Sequence, residues 1–155
     1  MISTPEALVR AVESALPMHA NARKAKTMQA YMKSTMPFVG IPATELRSLC
    51  AECFEAHQLT TAATWREAIA GLWDQATHRE QWYAALQLAA ARPYQRFVSM
   101  ALVPLYRRLI QEGGWWDTVD SLAQRVALLL ATYPEPLKKT VRAWEIGRAS
   151  CRERV

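Results

Sequence analysis

The sequence predicts an all-α protein built as a solenoid of helix pairs, and three observations carry that prediction. Ala, Leu, Arg, Gln and Glu dominate, which are good helix formers. Only 5 glycines occur in 155 residues, and runs of β-branched residues are scarce, which argues against a β protein. Apolar residues recur at helical spacing between caps and Pro or Gly breaks, and the resulting helices fall into pairs with a repeat of about 40 residues.

The elements follow in order. Ser3-Thr4-Pro5-Glu6 combines a hydroxyl cap, a proline for the first turn and an acid, so a helix starts there. Leu8, Val9, Val12, Ala15 and Leu16 form its apolar face, and Pro17 stops it. Asn21 caps a second helix with Ala22, Ala25, Met28, Tyr31 and Met32 on one side. Residues 34–42 (STMPFVGIP) hold two prolines and a glycine and form a loop. A third helix spans 44–57, with Leu46, Leu49, Cys50, Cys53 and Phe54 inward. The fourth spans 64–75 on Trp65, Ala68, Ile69 and Leu72. The fifth spans about 79–91, showing Trp82, Tyr83, Leu86 and Ala90. Pro93 separates it from residues 94–111, where Pro104 implies a late start, a break or a kink. Gly113-Gly114 ends that helix. Residues 115–133 are the strongest helical stretch, and Pro134 and Pro136 open a last helix running into Trp144. This is the pattern of a HEAT-like solenoid, with a compact helical bundle as the alternative.

Composition bounds what such a protein does. A hydrophobic content of 51% supports one domain with a real core. The longest apolar run, residues 126–131 (VALLLA), is far too short to span a bilayer, and MISTPEALVR is not a secretory signal. A cytoplasmic location is expected. Three cysteines, an odd number, give no disulfide framework. Cys50-Ala-Glu-Cys53 lacks the second ligand pair that a metal site needs, and His19, His57 and His78 are scattered. Phosphate-loop, dinucleotide and nucleophile-elbow motifs are missing too. No cofactor is implied. The net charge of +5 and pI near 9.4 are compatible with a polyanionic partner.

The last eleven residues stand apart. Residues 145–155 (EIGRASCRERV) back-translate, in frame, onto the start of a common sequencing adapter. They are read as foreign, leaving residues 1–144 as an incomplete solenoid. The tail carries three arginines and two glutamates, so without it the net charge is +4.

Three segments resemble the DNA alkylation repair family, the helical-repeat alkylpurine DNA glycosylases. The first is Ala30-Tyr31-Met32-Lys33 with Phe38-Val39-Gly40-Ile41-Pro42 and Arg47. The second runs through Leu72-Trp73-Asp74 and Arg79-Glu80-Gln81-Trp82-Tyr83-Ala84-Ala85. The third is Trp115-Trp116-Asp117-Thr118-Val119-Asp120-Ser121-Leu122. The resemblance implies excision of N3- and N7-alkylated purines from duplex DNA by a monomer, without flipping the lesion into a pocket. These bases are cationic, which weakens their glycosidic bond. By position, the family's catalytic aspartate falls on Asp120, its main aromatic partner on Trp116 and a second aromatic on Tyr31. Lys33, Arg47 and Trp115 lie within the matching segments and are expected to contact DNA.

The chemistry suits those residue types. Trp116 and Asp120 are four apart on a predicted helix and so share a face. A carboxylate beside the sugar stabilises the oxocarbenium-like charge that develops as the bond breaks and orients water. Indole and phenol faces attract cationic groups. A plainer reading of Trp-Trp-Asp after Gly-Gly is a capped helix with two buried indoles, Asp117 as the cap and Asp120 as a surface acid. Tyr31 likewise suits an ordinary core position. Arg23, Lys24 and Lys26, and further along Arg107, Arg108, Lys138, Lys139 and Arg142, would contact phosphates or simply form solvated helix faces.

Beyond the point matching Trp144 the family continues with helices that carry an arginine in a W-x-x-R-like context and a further tryptophan. Neither has a counterpart here, and Arg148 lies in the foreign tail at the wrong spacing. Weak or absent activity is therefore expected of the 155-residue chain, and activity of an intact parent. A non-catalytic DNA-binding relative and a helical-repeat scaffold for protein partners remain alternatives.

Overall fold

A computed structural model describes the backbone of residues 1–152 and the side chains of residues 1–144. The fold is an all-α helical repeat. Eight α-helices lie among the described residues: α1 (Pro5–Ala15), α2 (Ala22–Met32), α3 (Ala43–Ala56), α4 (Ala62–Asp74), α5 (Arg79–Ala90), α6 (Val103–Gly113), α7 (Trp116–Thr132) and α8 (Pro134–Arg152). Among the same residues, β-type pairing is confined to an isolated bridge between Ile2 and Gln58. None of these helices is long and apolar enough to cross a membrane. The residues assigned to the tail lie outside the described side chains.

Local chemistry sets most boundaries. The Thr4 hydroxyl accepts from the Ala7 amide and the Asn21 side chain from the Lys24 amide, as the caps predict. A 3-10 turn over Leu16–His19 absorbs Pro17. The helix placed at 64–75 starts earlier, because Thr61 and Thr64 form a reciprocal capping box that satisfies two orphan amides. Of the three outcomes open at Pro104, the late start is observed. Two 3-10 turns, Arg92–Phe97 and Met100–Leu102, precede α6, and Pro104 sits in its first turn, where a missing N–H costs nothing. Gly114, at φ 55°, closes α6 in the left-handed conformation that glycine adopts freely.

The helices form two rows. In one, α4 packs on both α1 and α6; in the other, α5 packs on both α3 and α7. Rungs α4–α5 and α6–α7 join the rows, and α8 packs on α7. The α4–α5 rung is antiparallel. The indoles of Trp73, late in α4, and Trp82, early in α5, stack at 4.2 Å, while the Trp65 indole, early in α4, donates to the Leu88 carbonyl, late in α5. Helices within a row run the same way. Glu80 at the start of α5 holds the backbone just before α3, and the Tyr94 hydroxyl just beyond α5 accepts from the Leu59 amide just beyond α3. One continuous core fills the space between the rows, from Leu8 and Val12 through Trp65, Ile69 and Leu88 to Leu122 and Leu137.

Two faces differ from the sequence reading. Helix α5 turns Ala84, Ala85, Leu88 and Ala89 inward, with Arg79, Glu80 and Gln81, and leaves Trp82, Tyr83 and Ala90 half-buried. Helix α2 buries only Met32, so the stripe through Ala22, Met28 and Tyr31 is not a core face. That helix hangs on the 34–42 loop instead. The Asn21 amide donates to the Val39 carbonyl, and Gly40 presses so close that a Cβ there would lie 2.1 Å from the Asn21 carbonyl oxygen.

Candidate functional site

Four polar residues are buried among the described residues: Arg79, Glu80, Gln81 and Thr118. Three of them are consecutive, at the first turn of α5, and each reaches a different part of the chain. Arg79 makes a two-pronged ion pair with Asp117 in the first turn of α7, with Nη2 donating to Oδ1 at 2.9 Å and to Oδ2 at 3.0 Å and Nε to Oδ2 at 3.2 Å. Its guanidinium also lies 4.8 Å from the ring centre of Trp82. The Glu80 carboxylate accepts from the amides of Val39, Gly40 and Ile41 at 2.9, 2.8 and 3.3 Å. The Gln81 amide oxygen accepts from the Thr77 and His78 amides, while its nitrogen donates to Glu13 on α1.

Through these bonds the start of α5 holds the loop following α2 on one side and the start of α7 on the other. The Arg79 amide donates to the Pro37 carbonyl at 2.9 Å. Tyr83 completes the junction, its hydroxyl donating to Asp117 at 2.6 Å and its ring lying 6.2 Å from Phe38. Periodicity could not reveal this cluster, because acids and bases in a first turn read as solvated.

Trp115, Trp116 and Asp120 lie at the start of α7, and Tyr31 and Lys33 at the end of α2. Trp115 is the N-cap of α7 and makes no side-chain capping bond. The indoles of Trp115 and Trp116 are 43% and 55% exposed, so the alternative of two buried indoles fails. Asp117 is not a cap either, since Arg79 and Tyr83 engage its carboxylate. Asp120 is exposed on α7, one turn beyond Trp116 and on its face. Tyr31, at the end of α2, is 76% exposed and so no core aromatic. No described contact joins Tyr31 to Trp116 or Asp120; the two groups meet only through the shared junction.

Lys33 is exposed and follows α2 in the left-handed conformation, at φ 48°. It is the one non-glycine residue with positive φ among those described. Such a conformation costs about 1–2 kcal/mol for a residue with a Cβ. Lys33→Gly should therefore melt at or above the wild-type temperature. If Lys33 contacts phosphate, the same variant should bind duplex DNA more weakly and lower the salt slope by about one unit. Unchanged DNA affinity would remove Lys33 from the interface.

The other cations divide. Arg47, exposed on α3, borders a groove of about 800 Å³ that Ala51, Phe54, Tyr94, Arg92 and Arg96 also line. Arg23, Lys24 and Lys26 are exposed on α2, and Lys139 and Arg142 on α8. Arg108 is engaged by Asp74 at 2.6 Å and by Glu112, Lys138 pairs with Glu135, and Arg107 lies over the Trp144 ring.

Burial controls the protonation of several groups. Burial first, then the hydrogen bond and charge of Asp117, push the Tyr83 hydroxyl above the usual tyrosine range. Burial pushes Tyr106 up to about 12, and burial with a smaller effect of Cys53 pushes Cys50 up to about 12. Each group is an acid that the unfolded chain ionises more readily than the folded one. The stability they contribute is complete below the unfolded values, 9.0 for cysteine and 10.0 for tyrosine. For buried Cys50 and Tyr106 it falls as pH rises toward the folded values, at up to about 1.4 kcal/mol per pH unit per group, and half-buried Tyr83 contributes less because solvent screens it. The melting temperature should thus drop steeply from pH 9 to 12, and Cys50→Ala should flatten the limb between 9 and 10. A flat wild-type profile over that range would contradict the burial argument. The raised value also makes Cys50 a poor nucleophile or metal ligand.

Together, fold and site define a helical-repeat protein that displays two indoles and a carboxylate at the exposed start of one helix, locked from beneath by a buried ion pair. A family model described as DNA alkylation repair enzyme matches residues 12–146, and the chain belongs to that family. Among solved structures it is similar to one described as "Predicted DNA alkylation repair enzyme from Enterococcus faecalis". The two are 27% identical with a TM-score of 0.61, the match covering 78% of this chain and 55% of that one. The chain thus spans about half the length of that relative. Among curated proteins no relative matches.

Proposed function

We propose that this chain forms the N-terminal part of a DNA glycosylase that hydrolyses the N-glycosidic bond of N3- and N7-alkylated purines in duplex DNA. The observation that carries the proposal is the pairing of exposed Trp116 and exposed Asp120 on one face of α7. The indole offers its π face to a cationic sugar or base. The carboxylate supports the positive charge that develops as the bond breaks and orients the water that completes hydrolysis. Asp117, the neighbouring acid, is fully engaged by Arg79 and Tyr83 and is unsuited to the role.

The shape of the site favours a lesion that stays within the duplex. An exposed ring and acid reach a deoxyribose from outside the stack, whereas a flipped base requires an enclosing pocket. Tyr31, Lys33, Arg47 and Trp115 would hold the flanking backbone.

The test is incubation of the intact parent, this chain extended by the helices that complete the solenoid, with a duplex carrying one N7-methylguanine, with the freed base measured by chromatography and binding followed across a salt titration. Release of the methylated base supports the proposal. Salt-dependent binding without release favours a non-catalytic DNA-binding role. Absence of DNA binding at low salt would leave a protein-binding scaffold.

A further inference from the structure

The buried ion pair joins the start of α5 to the start of α7. We propose that Arg79, Asp117 and Tyr83 are positioning residues that set the rotation of α7, and so aim Trp116 and Asp120. This inference rests on the function proposed above but has its own readout.

The argument is geometric. Successive helical residues are separated by about 100° around the axis. With Asp117 drawn inward to Arg79 and Tyr83, Trp116 lies about 100° to one side of it and Asp120 about 60° to the same side. A helix start bound at one residue by four hydrogen bonds has little rotational freedom. The pair is 8% and 9% exposed at its side chains, so water does not compete for these bonds. The neighbouring turn reinforces the setting. Thr118 is fully buried and its hydroxyl donates to the Trp115 carbonyl. Gly113 leaves that hydroxyl its space, since a Cβ there would lie 2.6 Å from it.

The same helix turn holds the opposite side of the site. Arg79 and Glu80 are adjacent, and Glu80 fixes residues 39–41 while the Arg79 amide fixes Pro37. The chain leading back to Lys33 and Tyr31 is thus referenced to the residue that orients Trp116. One rigid reference is what a site assembled from two distant segments requires.

Stability and positioning are separated by replacing the whole buried cluster. Exchange of a complete buried ion network for apolar side chains of similar volume is often neutral or stabilising. The variant Arg79→Met with Tyr83→Phe and Asp117→Leu should therefore melt close to the wild type yet lose the directional hold. The 155-residue chain labelled with 5-fluorotryptophan would report the outcome, with the Trp116 resonance assigned through Trp116→Phe. Trp82 faces Arg79 and will shift in either case, so Trp116 is the diagnostic signal. The expected result is a displaced or broadened Trp116 resonance and single-turnover excision slower by about 10²-fold, the usual cost of a small misplacement, at near-normal affinity for undamaged DNA. An unshifted Trp116 resonance with undiminished excision would overturn the proposal. Asp117→Asn, which keeps volume and removes charge, reads the same two signals should the triple variant not fold. If the 155-residue chain excises nothing, as expected of an incomplete solenoid, the fluorine signal alone decides positioning, and the glycosylase reading is decided separately on the intact parent.

Discussion

Glu80→Ala should lower the melting temperature by roughly 8–20 °C, corresponding to a loss of about 4–5 kcal/mol in a chain of this size. The side chain is completely buried, and its carboxylate is shared by three consecutive amides. Removing it strands donors that water cannot readily reach, and each buried orphan costs about 1–3 kcal/mol. The loop has no cheap way to relax. Gly40 sits at φ 95° with its α-carbon against the backbone of Asn21 and Ala25, and the Asn21 amide itself depends on the Val39 carbonyl. Glu80→Gln should fall between, because an amide oxygen replaces part of the acceptor while its NH2 faces other donors. Calorimetry gives the ranking. Hydrogen exchange at Val39–Ile41 would show whether the loop opens before the core, carrying α2 with it. A melting temperature within 2 °C of the wild type for Glu80→Ala would mean that these bonds contribute almost nothing net, contrary to the cost of burying orphan donors.

The element order was legible because its determinants are local. A hydroxyl or amide before a proline or a basic turn caps a helix wherever it sits, so Thr4 and Asn21 are readable in isolation. Gly114 and Pro17 act within one turn. The face of α5 was not legible, because what buries Arg79 and Glu80 comes from residues 38 to 41 positions away. Without those partners, a first turn beginning Arg-Glu-Gln reads as solvated, and the aromatic pair Trp82-Tyr83 becomes the obvious core choice. Helix α2 illustrates the converse. Its apolar spacing is real, yet no neighbouring row covers it, so Tyr31 stands in solvent. The candidate site was legible only through the family's Trp-Trp-Asp-x-x-Asp pattern, since the two aspartates differ in sequence by nothing that assigns their roles. Burial separates them: Asp117 is consumed by an ion pair, and Asp120 is left facing outward.

That division makes Asp120→Asn the most discriminating substitution in the proposed enzyme. The change preserves volume at an exposed helical position, so stability should stay within about 0.5 kcal/mol of wild type. Binding should hold or tighten slightly, because one negative charge near the phosphates is lost. Excision of N7-methylguanine should fall by about 10²–10³-fold, the range seen when one preorganised electrostatic group is removed from a transition state. Asp117→Asn makes the complementary case. It disturbs a buried pair, so it should lower the melting temperature by several degrees, and its effect on excision should pass through the orientation of Trp116. A variant at Asp120 that excises normally while Asp117→Asn does not would transfer the chemistry to the buried acid. That result would require the Arg79 ion pair to open when DNA binds, and salt-dependent quenching of the Trp115 and Trp116 fluorescence would then report a rearranged start of α7 rather than contact at a rigid surface.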